Sequence, residues 1–191
     1  MDGKIIIIQG HLASGKSTFA RHLSAEINVP YLIKDTFKSA ICASVQFDNR
    51  EESSRFSAVT FNAMTYVTER IIETGGPLII EGNFVPAGVK KVDEAGIIKA
   101  LLKKHSCTPL TYKFVGDPLV LYKRFTEREK SPDRGRANLM YSEVKRDDFI
   151  KWRRNLDGFY VGGDVVIVDT TDFGDVDFAK HVETARKFLR V

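Results

Sequence analysis

Residues 4–27 read KIIIIQGHLASGKSTFARHLSAEI, and this stretch decides the fold. Lys4–Gln9 is built around four consecutive isoleucines, the pattern of a strand buried on both faces. Gly10-His11-Leu12-Ala13-Ser14-Gly15-Lys16-Ser17 then fulfils G-x-x-x-x-G-K-[ST] in full. Lys16–Ile27 follows with Phe19, Leu23 and Ile27 on one helical stripe. A strand, a glycine turn and a helix are the context in which this motif has a physical meaning. Gly10 and Gly15 let the backbone turn sharply, so that its N–H groups converge on phosphate oxygens. The helix starting near Lys16 aims its positive end at the same anion. Lys16 adds a full charge at the β- and γ-phosphates, and the Ser17 hydroxyl can ligate Mg²⁺. The candidate nucleotide-binding residues are therefore Gly10, His11, Leu12, Ala13, Ser14, Gly15, Lys16, Ser17 and Thr18.

Downstream of that stretch, strand-like and helix-like segments alternate, which predicts an α/β protein with a parallel sheet. Expected strands are Tyr31–Ile33, Leu78–Ile80, Leu110–Val115 and Val165–Asp169; with Lys4–Gln9 they make five. Expected helices after the first are Asp35–Ser44, Glu52–Glu73, Lys90–Lys104, Asp117 to about Lys130, Glu143–Asn155 and Val176–Leu189. Ala95, Ile98 and Leu102 face inward on one of them, and Phe178, Val182, Ala185 and Leu189 are in register on another. Asp117-Pro118 reads as an N-cap followed by proline at the first helical position. Ser131–Ala137 reads as a polar loop. Right-handed crossovers put helices on both faces of the sheet, and a ligand belongs beyond the carboxyl ends of its strands.

The chain has 191 residues, enough for one good core, so a single domain spanning residues 1–191 is expected. Its 43% apolar content excludes a disordered or fibrous chain. No apolar run approaches the roughly 20 residues of a membrane span, and the four-isoleucine stretch near the start predicts no secretory leader. Cys42 and Cys107 match no metal or redox spacing, which fits a reducing, cytoplasmic setting. The net charge is +4, but residues 123–154 alone carry eleven Lys/Arg against six Asp/Glu. The surplus is confined to that stretch, which points to an anion handled there; a solvated helical face is the plainer alternative.

On the glycine motif and the order of elements, the sequence resembles the P-loop kinases. Within these it is similar to the polynucleotide-kinase, zeta-toxin and chloramphenicol-phosphotransferase group. The resemblance implies a three-layer fold like that of the P-loop nucleoside triphosphate hydrolases, with an arginine-bearing lid at about residues 124–145. It implies that Asp35, after the second strand, accepts the proton of a substrate hydroxyl, with Lys38 standing where such proteins usually have arginine. The alternative for Asp35 is that it only N-caps the helix that follows. It implies that Glu81, ending the apolar run Leu78-Ile79-Ile80, holds the Mg²⁺ shell or orients substrate, with Asn83 as a neighbouring substrate contact. Whether Asp35 or Glu81 is the base stays open. Glu81 is expected beside the P-loop strand and nearer the metal, and Asp35 on the acceptor side. Arg124 and Arg128, four residues apart on one helix, and Arg134 and Arg136 in the loop after it are implied as lid arginines, with Arg124 on the adenine and Arg128 on the phosphates. The segment Thr170-Thr171-Asp172-Phe173 resembles the loop that lines the adenine. Lys145, Arg146, Arg153 and Arg154 are expected at the surface.

These readings converge on an ATP- and Mg²⁺-dependent phosphotransferase acting on a hydroxyl of a small molecule. No N-K-x-D run occurs, which disfavours a GTPase, and no LSGGQ-type signature occurs, which disfavours a transport ATPase. A polynucleotide 5′-hydroxyl kinase and a slowly hydrolysing nucleotide switch are the alternatives. Neither the acceptor nor the oligomeric state is written in the sequence.

Overall fold

The four isoleucines of β1 (Lys4–Gly10) are all fully buried, and they divide between two cores. Ile6 and Ile8 pack with Phe19, Leu23, Tyr112, Phe114 and Val182, whereas Ile5 and Ile7 pack with Phe61, Met64, Ile80, Ile98 and Leu102. Side chains alternate across a strand, so a strand that is apolar at every position must have both faces covered. Each such isoleucine contributes roughly 1.5–3 kcal/mol by leaving water, and a charge at any of them would break the sheet centre.

This is a computed structural model, and it describes residues 3–45, 50–89, 92–129 and 144–190. After β1 come α1 (Lys16–Ile27), β2 (Tyr31–Ile33), α2 (Lys34–Ser44), α3 (Arg50–Glu73) and β3 (Leu78–Glu81). Then follow α4 (Glu94–Lys104), β4 (Thr108–Val115), α5 (Pro118–Glu129), α6 (Arg146–Arg154), β5 (Asp164–Asp169) and α7 (Phe178–Leu189). The five strands form one parallel sheet in the order β2-β3-β1-β4-β5. Residues of α1 and α7 cover one face, and residues of α3 and α4 cover the other. This is the expected three-layer arrangement. Among the described residues no helix is long and apolar enough to cross a membrane.

Helices α2 and α3 start one and two residues earlier than expected, at Lys34 and Arg50, and three helices start later, each because a short side chain or an extended backbone stops the helix. α4 begins at Glu94 rather than Lys90, because the Asp93 carboxylate accepts the Gly96 N–H at 2.8 Å and caps it. α7 begins at Phe178 rather than Val176, because Asp177 caps it by accepting the Lys180 N–H at 2.9 Å. α6 begins at Arg146 rather than Glu143, because Lys145 is extended. Strand β4 starts at Thr108, two residues early, where the Thr108 N–H reaches the Gly3 carbonyl at 2.9 Å. The Asp117 cap is as expected, with its carboxylate accepting the N–H groups of Leu119 and Val120.

Candidate active site

The turn between β1 and α1 is shaped by what lies against it. At Gly10, φ is +136°, and a Cβ would overlap the Phe114 carbonyl oxygen of β4. That carbonyl instead accepts the His11 N–H at 2.8 Å. Gly15, at φ +85°, is the N-cap of α1, and a Cβ there would overlap the Phe173 ring. The His11 carbonyl accepts both the Ser14 hydroxyl at 2.7 Å and the Lys16 ammonium at 2.6 Å. His11, Ser14 and Lys16 are all buried. Leu12 and Ala13 pack against the small cluster of Leu121, Phe125 and Phe149 that joins α5 to α6.

Lys16, Ser17, Glu81 and Asp35 come together at the carboxyl ends of the central strands. Strand β3 pairs with β1 in the register Ile8 to Glu81, which places Glu81 beside the turn, and Asp35 follows the edge strand β2. The Ser17 hydroxyl donates to Glu81 Oε2 at 2.8 Å. Glu81 is 4% exposed, and burial pushes its carboxyl above the usual range; the Lys16 charge opposes this, Asp35 reinforces it, and the Ser17 bond opposes it. Burial pushes the Lys16 ammonium below its usual range, opposed first by Glu81 and then by Asp35. Lys16 and Glu81 thus act on one another in a space that largely excludes water, where their interaction is stronger than at the surface, and Asp35 acts on both from the exposed side.

Asp35 differs from its partners in being exposed. It is the second residue of α2, whose N-cap is Ile33 without a side-chain bond, so the capping role does not apply. Its carboxylate makes no hydrogen bond among the described residues. Its place in the first turn suits a negative charge, because the helix N-terminus is positive. Lys38 is half-buried one turn further on, and its charge is felt by the Cys42 thiol. Asn83 is half-buried, and its Oδ1 is enclosed without a hydrogen-bond partner among the described residues.

Sequence reasoning missed the pair that fixes this side. Lys34 Nζ lies 2.5 Å from Glu94 Oε1, both residues being buried, and it sits over the rings of Phe61 and Phe84 at 5.3 and 5.6 Å. Glu94 Oε2 also accepts the Val85 N–H at 3.1 Å. The start of α2, the loop after β3 and the start of α4 are thereby joined. The two residues are 60 positions apart, and no local pattern signals such a pair.

On the opposite flank, Arg124 of α5 donates to the carbonyl oxygens of Thr170 and, at 2.8 Å, Thr171. The implied lid arginine and the implied base-lining loop are thus brought together, with Phe173 against Gly15. Arg128 is exposed, with its guanidinium carbon 5.9 Å from the Phe125 ring centroid, and its charge is felt by Lys16. Arg134 and Arg136 lie outside the described residues. Lys145, Arg146 and Arg154 are exposed as expected. Arg153 is not: it is half-buried, its Nε is enclosed without a hydrogen-bond partner among the described residues, and its charge lowers the pKa of His11. Position 153 lies on the helix face turned to His11 in the turn between β1 and α1, which a run of charged residues does not disclose.

No family model matches the chain, and no curated protein matches it. Solved structures do. A candidate kinase from Chloroflexus aurantiacus is 26% identical, with a TM-score of 0.81 over 99% of this chain and 97% of its own. A shikimate kinase from Bacteroides thetaiotaomicron is 14% identical, with a TM-score of 0.61 over 98% of each chain. A sugar kinase from Janibacter sp. is 14% identical, with a TM-score of 0.60 over 99% of this chain and 95% of its own. The last two show that this chain has the fold of P-loop kinases; the first carries the likeness further into the sequence.

Proposed function

We propose that residues 1–191 form one ATP- and Mg²⁺-dependent phosphotransferase domain that moves the γ-phosphoryl group to a hydroxyl of a small molecule. The observation that carries this reading is the convergence of buried Lys16 and Glu81 and half-buried Ser17 with an exposed Asp35 that makes no hydrogen bond among the described residues. A nucleotide site alone needs no second carboxylate facing solvent beside the phosphate lysine. An acceptor hydroxyl does, because its proton must go somewhere as the new O–P bond forms. The neighbours of the same fold named as sugar and shikimate kinases favour small hydroxylic acceptors.

The residues fit the groups they would hold. The turn's N–H groups, the α1 N-terminus and Lys16 suit a triphosphate. Ser17 and Glu81 already place two hard oxygens side by side, the donor type Mg²⁺ prefers, and Mg²⁺ when bound offsets charge on the phosphates. Arg124, held against the Thr170–Thr171 carbonyls, presents a flat cation beside the base, while Arg128 adds charge toward the phosphates. Arg134 and Arg136 would complete the lid. Asp35 orients the acceptor and takes its proton, with Lys38 and Asn83 as further substrate contacts and Glu81 on the metal side.

The test is ATP consumption by the full chain against a panel of alcohols. The panel holds sugars, hydroxy acids, nucleosides, aminoglycoside-like and chloramphenicol-like compounds and 5′-hydroxyl oligonucleotides. Strong acceleration by one small class is expected. Phosphorylation of the oligonucleotides instead would make the protein a polynucleotide kinase. Slow hydrolysis indifferent to every alcohol would make it a nucleotide switch.

A further inference from the structure

The phosphate loop is tied to the far end of α6 by bonds no motif contains. Gln9 Nε2 donates to the Leu156 carbonyl at 2.9 Å. His11 Nε2 lies 2.9 Å from Asp157 Oδ1. Lys113 Nζ of β4 donates to the Asp157 carbonyl at 2.5 Å. Phe149 of α6 meanwhile belongs to the cluster on which Leu12 and Ala13 rest. The turn after α6 is therefore seated on the strand end that becomes the loop.

His11 is the node of this arrangement. Its N–H is spent on Phe114, its carbonyl holds both Lys16 and Ser14, and its ring is spent on Asp157. The bond to a carboxylate is made by an Nε2–H, which in the neutral ring leaves Nδ1 as the unprotonated nitrogen, enclosed and without a hydrogen-bond partner among the described residues. The groups facing the ring are Asp157, Arg153 and Lys16. With N–H, carbonyl and ring all fixed, the carbonyl that aims the phosphate lysine has little freedom. We infer that Asp157, acting through His11, is a positioning residue of the phosphate loop, and that it makes triphosphate affinity depend on how α6 is seated. This rests on the nucleotide reading above.

Asp157 suits a test, because its side chain is 50% exposed and its loss leaves the cores intact. MgATP affinity of the full chain is measured by calorimetry, and the thermal midpoint is recorded in parallel. Asp157→Ala should weaken MgATP about fivefold, the usual scale of coupling between residues in contact. Asp157→Asn keeps an oxygen that accepts the Nε2–H and should restore most of that affinity. His11→Phe should weaken binding too, and His11→Phe with Asp157→Ala should weaken it no further than His11→Phe alone. Wild-type affinity in Asp157→Ala, whatever its midpoint, overturns the inference. So does Asp157→Asn binding as poorly as Asp157→Ala, or full additivity in the double variant. Lys16→Ala separates the two levels. If the wild type binds MgATP, Lys16→Ala does not, and Asp157→Ala is unaffected, the positioning role fails alone. If the wild type does not bind MgATP, the nucleotide reading fails and takes this inference with it.

Discussion

The β1–α1 side and the β2–α2 side of the site are built on opposite plans. On the first, Lys16, Ser17 and Glu81 are joined by hydrogen bonds and charge, and His11 is bonded through its N–H, its carbonyl and its ring. On the second, Asp35 is exposed and makes no hydrogen bond among the described residues, and what is fixed is the scaffold behind it, the Lys34–Glu94 pair. On the phosphotransferase reading proposed above, the difference teaches what each side is prepared for. A triphosphate is always the same anion, so its donors can be aimed in advance and need no rearrangement. An acceptor hydroxyl must reach a carboxylate that is not already engaged, so the group stays open and only its platform is rigid.

The largest effect should come from the open side. Asp35→Asn should lower phosphoryl transfer by about 10²–10⁴-fold, the usual worth of a positioned base, while MgATP affinity stays near wild type. Glu81→Gln should instead raise the Mg²⁺ concentration needed for half-maximal activity. Single-turnover transfer and MgATP titration on both variants check this. If Asp35→Asn transfers at the wild-type rate while Glu81→Gln is inactive with a normal Mg²⁺ response, Glu81 is the base and the comparison inverts.

On the wired side, Lys16→Ala removes a buried charge from the phosphates and should cost at least ~100-fold in MgATP affinity or turnover, with the fold retained. Calorimetry that found MgATP bound as tightly as before, with unaltered turnover, would falsify the phosphate-loop reading.

The platform behind Asp35 is tested by stability. Lys34→Met or Glu94→Gln alone strands the other member of a buried pair and should destabilise by about 3–5 kcal/mol in urea. Lys34→Met with Glu94→Leu should lose less than the two single changes added together, because no charge is then left unpaired. Additive losses would show that the two side chains do not act as a unit.

The smallest effect lies away from both regions. Glu69, near the end of α3, is held down to about 2 by hydrogen bonds from Lys104 and then His105. A carboxyl whose folded pKa is depressed contributes stability that is complete above its unfolded pKa, about 4.5, and is lost as pH falls from there toward 2. Glu69→Gln should therefore flatten the fall of the thermal midpoint over that window and leave MgATP affinity unchanged at neutral pH. A midpoint profile matching the wild type down to pH 2 would remove this contribution.

Much of the fold, and the placing of half of the candidate site, is legible in the sequence because the determinants are local. The four isoleucines demand two covered faces, Gly10 and Gly15 demand a turn, and Lys16–Ser17 stand at fixed offsets from both. Glu81 was legible for a similar reason: a carboxylate ending an apolar strand has to emerge at the sheet's carboxyl edge. Helices α4, α6 and α7 start later than periodicity suggests, since periodicity persists through a cap, and the capping bonds of Asp93 and Asp177 and the extended backbone of Lys145 say where they begin.

By itself, the sequence determined the parallel α/β fold, the glycine turn between β1 and α1 and the candidacy of Asp35 and Glu81, because each follows from spacing along a chain of fixed geometry. Only the tertiary structure decided that Glu81 is bonded to Ser17 while Asp35 makes no hydrogen bond among the described residues, that Lys34 answers Glu94, and that Asp157 bonds His11 from 146 residues away. Those partners meet because a parallel sheet brings the carboxyl ends of strands distant in sequence to one edge, and which side chain there finds an opposite charge is settled by packing in three dimensions, of which the linear order carries no trace.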